Sequence, residues 1–223
     1  TPHAPNGLIV VTGNPLRALD DGLLSASSGG TGSLSGAFFV QDEASQLINL
    51  AVAARPGERI LDLCASPGGK TLAMAGDMRD TGLIVACDVR ARRVELLTDT
   101  VETSGAACVR VVRVATTGPL PFGPVFDRVL VDAPCSGLGT IRHDPDVRWR
   151  RQESDLVRFA VDQRRLIDRA AALVRPHGRL VYATCSSEPD ENEAVVDAFL
   201  STHEDFELVD LRVDASPYLL PVL

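Results

Sequence analysis

The chain has 223 residues, 45% of them hydrophobic, and a formal net charge of −8. This length and apolar content allow one sizeable domain with a real core, and no apolar run approaches the ~20 residues of a membrane span. The acidic balance argues against a nucleic-acid surface over the whole chain. Its five cysteines lack the paired spacing of a zinc site or a disulfide framework. We therefore expect a metal-free protein without a signal peptide, in the reducing cytoplasm.

The first 40 residues differ in pattern from the rest of the chain. A Gly/Ser-rich stretch runs through them, and a helix is predicted soon after, with Asp42 as its N-terminal cap. We read residues 1–40 as an N-terminal extension, either the end of a preceding RNA-binding domain or a small hairpin over the sheet. Residues 41–223 then form the main domain.

Short apolar runs alternate with helical patterns through the main domain. Strands are predicted at 59–64, 83–89, 108–114, 126–133, 178–185 and 206–211, and helices at 70–78, 90–105, 152–175 and 189–200. Continuous Val/Ile/Leu runs are typical of parallel strands buried on both faces. The alternation predicts an α/β fold with a doubly wound, mostly parallel sheet.

A glycine-rich turn, LDLCASPGGKT, joins the first strand to the next helix. Gly68 and Gly69 permit close approach of the backbone, and a helix N-terminus offers free N–H groups. Asp88 ends the second strand about twenty residues on, where an acid can hold both ribose hydroxyls. The sequence matches neither dinucleotide nor P-loop motifs. It predicts a nucleoside-type cofactor at the carboxyl end of the sheet, with a plain capped turn as the alternative.

Two cysteines follow neighbouring strands of the predicted sheet. Cys135 lies just past the fourth strand, in LVDAPCSGLGT, and Cys185 ends the fifth, in YATCSS. Neighbouring strands lie ~4.8 Å apart, so both thiols should emerge at one edge with Asp132 between them. The alternative is that they are small buried hydrophobic residues, which suits Cys87 and Cys108 better because these lie within their strands.

Basic residues are concentrated in residues 141–180, which hold ten arginines against six acidic residues. This segment is either a face for an acidic substrate or a solvated helix surface. Lysine is the opposite case, since Lys70 in SPGGKT is the only one, against 21 arginines. A planar guanidinium does not replace a compact ammonium everywhere, so we expect a position there that excludes arginine.

Four motifs, DLCASPGGKT, DAPCSGLGT, RHDPDVRW and YATCSSEPDENE, resemble those of the Sun/Fmu (RsmB-like) family of RNA cytosine-5 methyltransferases. The resemblance extends over residues 37–200, and the cysteine after each of two strands is its most specific feature. It implies a Rossmann-like class I methyltransferase fold with S-adenosylmethionine as cofactor. It also implies RNA as the partner, ribosomal RNA first and transfer RNA as the alternative.

The resemblance implies a role for each site residue. Cys185 is the nucleophile that adds to carbon 6 of cytosine, Cys135 assists release of the product, and Asp132 binds the ring edge. We expect Lys70 to orient Asp132 and to lower the pKa of the thiol. The cofactor-binding set is Cys64, Ala65, Ser66, Pro67, Gly68, Gly69, Lys70, Asp88, Arg93 and Asp132.

A base inside a duplex cannot reach such a pocket, so the target must be single-stranded or flipped out. RNA contacts are predicted for Arg142, His143, Arg148 and Trp149, because arginine holds phosphates and tryptophan stacks on bases. A tryptophan in the protein core is the alternative for Trp149.

Two departures from the family pattern keep other functions open. No acid follows the third strand to bind adenine, which leaves Thr116 or the backbone for that task, and the last, antiparallel strand is missing. The chain is then a fragment or a minimal member that needs a partner. The alternatives are a methyltransferase for another base or for protein, a catalytically silent RNA-binding module, and a redox role for Cys135 and Cys185.

Overall fold

A parallel five-stranded sheet forms the centre of the computed structural model, which describes residues 41–142 and 144–211. The strands are β1 (Arg59–Asp62), β2 (Leu83–Asp88), β3 (Val109–Arg113), β4 (Phe126–Asp132) and β5 (Val174–Ala183). The helices are α1 (Glu43–Val52), α2 (Gly69–Asp77), α3 (Ala91–Ser104), α4 (Val147–Arg150), α5 (Glu153–Ala171) and α6 (Glu193–Leu200), with 3₁₀ turns at Leu138–Thr140 and Pro189–Glu191.

The strand order is β3-β2-β1-β4-β5, and every neighbouring pair is parallel. Successive residues of a strand point to opposite faces, so Ile60 joins the core beneath α1, α2 and α3, whereas Leu61 joins the core beneath α5. Both faces of the sheet are therefore covered, which confirms the doubly wound α/β fold. Cys87 and Cys108 are buried in these cores, as their positions within strands predicted.

Helix α1 is capped locally at its N-terminus and is hydrogen-bonded to the sheet at its C-terminal end. The backbone N–H of Ala44 donates to the Asp42 carboxylate at 2.9 Å, which confirms Asp42 as the N-terminal cap. At the other end, Arg128 donates to the carbonyl of Val52 at 2.6 Å. These contacts hold α1 over the sheet, so that its first residues border the cleft described below.

The predicted strand at 206–211 is wrong, because these residues form no strand. In the described part of the chain no strand runs beside them, so their backbone groups have no ladder to join. Leu208 is 73% exposed, whereas Phe206 packs edge-on against Phe199, with ring centroids 5.2 Å apart. Of the apolar residues in this segment, Phe206 contacts α6 through its side chain, and none belongs to a strand.

The fifth strand begins earlier than predicted. Helix α5 ends at Ala171 and β5 starts at Val174, where the pairing with β4 is irregular between Phe126 and Arg128. Residues 175–178, RPHG, contain a proline and a glycine, and for this reason the sequence did not predict this first part of the strand. Two predictions concern the ends of the chain: the N-terminal extension at residues 1–40 and the absence of a last strand near residue 223. Residues 1–40 and 212–223 lie outside the described residues.

Candidate active site

An open cleft lies at the carboxyl ends of β1 and β4, and it contains most of the predicted cofactor residues. Its volume is about 220 Å³, and its lining residues are Gln41, Asp42, Ser45, Asp62, Cys64, Ala65, Ser66, Pro67, Gly69, Lys70 and Asp132. Ligands of open α/β sheets bind at this end of the strands. The fold thus brings the glycine-rich turn and Asp132 to one mouth.

The turn between β1 and α2 depends on glycine. Gly68 has a φ of +115°, and a Cβ there would lie 3.0 Å from Thr100 Cγ2. No side chain caps the first turn of α2, so its backbone N–H groups remain available to an anionic ligand group. This cradle fits the carboxylate of an amino-acid-like ligand.

Asp62 lies below this turn, at the end of β1, and the sequence analysis missed it. The Thr71 hydroxyl donates to Asp62 Oδ2 at 2.7 Å, while Oδ1 is buried without a hydrogen-bond partner. Burial raises the pKa of Asp62 to about 7. The signal was an acid at the last position of an apolar strand, a place where buried carboxyl groups serve ligands.

Asp88 ends β2 as predicted, and its carboxylate is fixed by two donors. The backbone N–H of Arg90 donates to Oδ1 at 3.1 Å, and Arg93 Nε lies 3.1 Å from Oδ2. Arg93 also donates to the carbonyl of Ser66 at 2.6 Å. Arg93 therefore connects the segments that follow the carboxyl ends of β1 and β2. A carboxylate has about four acceptor positions, so two remain on Asp88, but the residue is 4% exposed and does not line the cleft.

The fold brings Cys135 and Cys185 together. Asp132 at the end of β4 pairs in register with Ala183 of β5, and the loops beyond them place the two sulfurs 2.9 Å apart. The Cys185 backbone N–H also donates to the Cys135 sulfur at 3.3 Å. Cys185 is exposed and Cys135 is half-buried. Of the two, Cys185 is therefore the more accessible to a substrate.

The contact between the sulfurs separates their acidities. A hydrogen bond from the Cys135 thiol lowers the pKa of Cys185 to about 7, against the opposing effects of burial and of the Asp132 charge. The same hydrogen bond, together with burial, raises the pKa of Cys135 far above its ordinary value. The thiolate is the nucleophilic form of cysteine, so a contact that favours ionisation of one thiol raises its reactivity.

Lys70 faces Asp132 across the mouth of the cleft. Its Nζ lies 2.7 Å from Asp132 Oδ2, and their side chains are 15% and 29% exposed. The ammonium also acts on Cys185 and contributes to the low pKa of that thiol. The predicted pairing of Lys70 with Asp132 is thus present, and it offsets a negative charge beside the thiol.

Arginine at this position is expected to impair the site. The arginine guanidinium is larger and planar, so the Lys70→Arg variant should displace Asp132 and lower kcat for the methyl transfer that the sequence resemblance implies, on the order of tenfold or more. Steady-state methylation kinetics measure this. The matched control is Arg92→Lys, the reverse exchange at an exposed position of α3. Full activity of Lys70→Arg would remove the reason for a lysine here.

The two cysteine loops also touch through their backbones. The N–H of Gly139 donates to the carbonyl of Cys185 at 3.0 Å. A Cβ at residue 139 would lie 2.8 Å from that carbonyl oxygen and 3.3 Å from its carbon. Neither atom belongs to a flexible side chain. Any residue larger than glycine therefore has to move the loop that carries Cys185.

We expect the Gly139→Ala variant to lose most of its activity while remaining folded. A displacement of the nucleophile by a fraction of an ångström to one ångström costs on the order of tenfold to a hundredfold in kcat. The comparison is with Gly76→Ala, because a Cβ at this exposed helical position meets no atom within 4 Å. Equal kcat values for the two variants at equal melting temperatures would rule out the close contact.

The predicted RNA-contact residues lie on and before the short helix α4. Arg142 and Arg148 are exposed, and Trp149 is 78% exposed, which excludes a place in the core. The Arg148 guanidinium lies 5.0 Å from the centre of the Trp149 ring. His143 lies outside the described residues. These side chains form an exposed surface of positive charge and one aromatic ring.

Arg151, which the sequence analysis did not single out, joins this surface to the site. Its Nε donates to the carbonyl of Ser136 at 2.8 Å, and Ser136 directly follows Cys135. The basic segment therefore borders the loop that carries Cys135. No sequence signal separates Arg151 from the arginines around it.

Two features are absent from residues 41–142 and 144–211, the part of the chain that the structure describes. No group of three or more His, Cys, Asp or Glu side chains in that part of the chain is arranged to hold a metal ion. None of its helices is both long and apolar enough to cross a membrane.

Comparisons with known proteins agree with this geometry. Residues 49–218 match the family model described as 16S rRNA methyltransferase RsmB/F. The ribosomal RNA small subunit methyltransferase B of Sodalis glossinidius is 38% identical over 82% of this chain and 43% of its own length. The chain spans about two fifths of the length of such curated relatives.

Solved structures show the same fold. The crystal structure of PH0851 superposes with a TM-score of 0.78 at 38% identity, covering 84% of this chain and 43% of that one. NSun6 from Pyrococcus horikoshii, described as solved with SFG, has a TM-score of 0.68 at 27% identity, covering 80% of this chain and 46% of that one. The family match covers the glycine-rich turn, Asp132 and both cysteines, and the chain belongs to the 16S rRNA methyltransferase RsmB/F family.

Proposed function

We propose that this chain is the catalytic part of an RNA cytosine-5 methyltransferase that acts on ribosomal RNA. The carrying observation is the distance of 2.9 Å between the sulfurs of Cys135 and Cys185, beside the ion pair of Lys70 and Asp132. A second observation supports it, since Lys70 and Asp132 both line the cleft at the glycine-rich turn. Residues 41–223 are proposed as the methyltransferase domain and residues 1–40 as its extension.

S-adenosylmethionine is the cofactor of this family and fold, and the cleft offers groups that suit it. The uncapped N-terminus of α2 fits its carboxylate, and the buried, unpartnered Oδ1 of Asp62 fits a donor such as its ammonium group. Asp88 keeps acceptor positions for the ribose hydroxyls. When bound, S-adenosylmethionine supplies the methyl group. Thr116 or the backbone remains the proposed contact for adenine.

Cys185 is proposed to activate the target base. Carbon 5 of cytosine is a poor nucleophile until the Cys185 thiolate forms a bond to carbon 6, which makes the ring an enamine. Asp132, held by Lys70, hydrogen-bonds the ring edge, where ring nitrogen 3 takes up a proton as the sulfur adds and gives it up again when the sulfur leaves. After carbon 5 is methylated, its proton passes to a water molecule, the electron pair of that C–H bond forms the ring double bond, and the bond from carbon 6 to sulfur breaks, which restores both the aromatic ring and the Cys185 thiolate. Cys135 assists this release.

The RNA is proposed to approach from the surface of α4. Arg142 and Arg148 suit phosphates, and the exposed ring of Trp149 suits stacking on a base. A target in a loop, or flipped from a helix, reaches the mouth of the cleft at least energetic cost. Transfer RNA has the same chemistry and remains the alternative substrate. The free thiols that the reaction needs suit the reducing cytoplasm, where we place it.

Methyl transfer is expected to rise with pH through about 7. The pKa of Cys185 is lowered to about 7 by the hydrogen bond from Cys135, so the thiolate accumulates above this pH and is lost below it. Activity at pH 6 should be roughly a tenth of the maximum if the thiolate limits the rate. A pH profile of kcat from 5.5 to 9 measures this, and a flat profile over that range would contradict it.

The proposal is tested with labelled methyl donor and RNA. The protein is incubated with labelled S-adenosylmethionine and with ribosomal or transfer RNA, and the RNA is digested to nucleosides. Label in 5-methylcytidine supports the proposal, and the RNA that carries it identifies the substrate. Label in another nucleoside or in protein would indicate a different methyltransferase. RNA binding without label would indicate a catalytically silent RNA-binding module.

A further inference from the structure

A buried acid joins the loops of the two cysteines, and the chemistry proposed above gives it no task. Glu191 has 0% of its surface exposed and lies in the 3₁₀ turn Pro189–Glu191, shortly after Cys185. Burial of a carboxylate is unfavourable unless hydrogen bonds compensate. The partners of Glu191 therefore show what it holds.

The first partner is Ser136, the residue that directly follows Cys135. The Ser136 backbone N–H donates to Glu191 Oε1 at 2.8 Å, and the Ser136 hydroxyl donates to Oε2. The Ser136 hydroxyl oxygen also lies 3.1 Å from that of Ser186, the residue after Cys185. The carboxylate thus binds the Cys135 loop directly and reaches the Cys185 loop through the contact between the two serines.

Helix α5 provides a third anchor. The side-chain amide of Gln163, which is 1% exposed, donates to Glu191 Oε1 at 2.9 Å and to the carbonyl of Pro134 at 3.0 Å. Burial raises the pKa of Glu191, but these hydrogen bonds outweigh it and leave the pKa below its ordinary value. The group is therefore a charged acceptor surrounded by donors, which is the strong form of such a contact.

We infer that Glu191 is a positioning residue whose carboxylate fixes the Cys135 and Cys185 loops relative to each other and so holds the two sulfurs in contact. It touches neither reacting sulfur. It acts through Ser136, which is covalently joined to Cys135 and whose hydroxyl contacts that of Ser186, the residue after Cys185. The inference rests on the proposed function for its importance to catalysis, but the contact between the thiols exists without any substrate.

The inference is tested in the protein alone with the Glu191→Gln variant. Three donors converge on the carboxylate, and an amide offers them one acceptor oxygen and a competing NH₂ group. The loops should therefore separate and the sulfur contact should weaken. Removal of a nearby negative charge would by itself lower the pKa of a thiol. Loss of positioning is expected to raise the pKa of Cys185, so the direction of the change separates the two effects.

The readout is the rate of Cys185 alkylation by iodoacetamide against pH, followed by mass spectrometry of the peptides. We expect the midpoint to rise by about one pH unit in Glu191→Gln, which is about tenfold less thiolate at a pH below both midpoints. The groups that act on the Cys185 thiol, namely Cys135, Asp132 and Lys70, are all retained. The matched control is Glu193→Gln, at an exposed acid two residues away, which should keep the original midpoint.

A milder variant keeps the test decisive if Glu191→Gln does not fold. Ser136→Ala removes one hydroxyl donor and leaves the backbone N–H in place, so it should raise the midpoint by a smaller amount. An unchanged or lowered midpoint in a folded variant overturns the positioning role. Alkylation needs neither RNA nor methyl donor, so a failure of the proposed function would leave this result readable. If methyl transfer is observed, kcat should fall in Glu191→Gln while KM for the methyl donor stays unchanged.

Discussion

The Cys185→Ser variant is expected to lose methyl transfer by on the order of a thousandfold or more, because a serine hydroxyl is barely ionised at neutral pH. The exposed sulfur of Cys185 and its pKa of about 7, which results from the hydrogen bond with Cys135, make it the group that is ready to attack. The change from sulfur to oxygen leaves the size of the side chain almost unaltered. The loss should therefore appear in kcat, with the affinity for S-adenosylmethionine retained.

Transfer of labelled methyl groups to RNA measures the first quantity, and titration calorimetry with S-adenosylmethionine measures the second. Ser187→Ala is the matched control, because this exposed side chain contacts only Glu188 among the hydrogen bonds described. A Cys185→Ser variant that retains substantial activity would assign the attack to another group, and Cys135 would be the first to examine.

The Cys135→Ala variant is expected to give the opposite behaviour, a stable covalent complex of protein and RNA. If Cys135 assists release, its loss leaves the bond from Cys185 to carbon 6 formed but slow to break. Cys135 also donates the hydrogen bond that lowers the pKa of Cys185, so its loss should slow formation of the adduct at neutral pH. Raising the pH toward 9 should restore the rate of adduct formation without restoring release.

Denaturing gel electrophoresis with labelled RNA measures this adduct, and the double variant Cys135→Ala/Cys185→Ser is the control that should give none. Accumulation of the adduct in the single variant and its absence in the double variant would assign attack and release to different cysteines. Free turnover by Cys135→Ala, with no band of retarded mobility, would show that release does not need this thiol.

Much of the fold could be predicted because the hydrophobic pattern of each parallel strand and of each crossover helix lies within a short segment of the sequence. Residues 83–88 and 126–132 are rich in Val, Leu and other apolar residues, and they became β2 and β4 within one residue of the predicted ends. The prediction failed at 206–211, where the letters are equally apolar. A strand also needs an adjacent strand that hydrogen-bonds to its backbone N–H and C=O groups. The sequence of one segment does not show whether such a strand lies beside it.

The candidate site divides in the same way. The glycine-rich turn, Asp88, Asp132 and the two cysteines could be named in advance because each follows a strand at its carboxyl end. Glu191 could not, because its partner Ser136 is 55 residues away. Asp62 was missed although it lies in an apolar strand, because the burial of its carboxyl group and its unpartnered Oδ1 arise only in the folded chain.

The sequence by itself determined which chemical groups this protein has and the order in which they meet the sheet, because strand periodicity and the glycine-rich turn are local properties of the chain. The tertiary structure decided how those groups act on one another. The contact of 2.9 Å between Cys135 and Cys185, the ion pair of Lys70 and Asp132, and the packing of Gly139 against the Cys185 carbonyl all join distant segments. Distance and burial set pKa values and steric limits, and these exist only once the chain has folded.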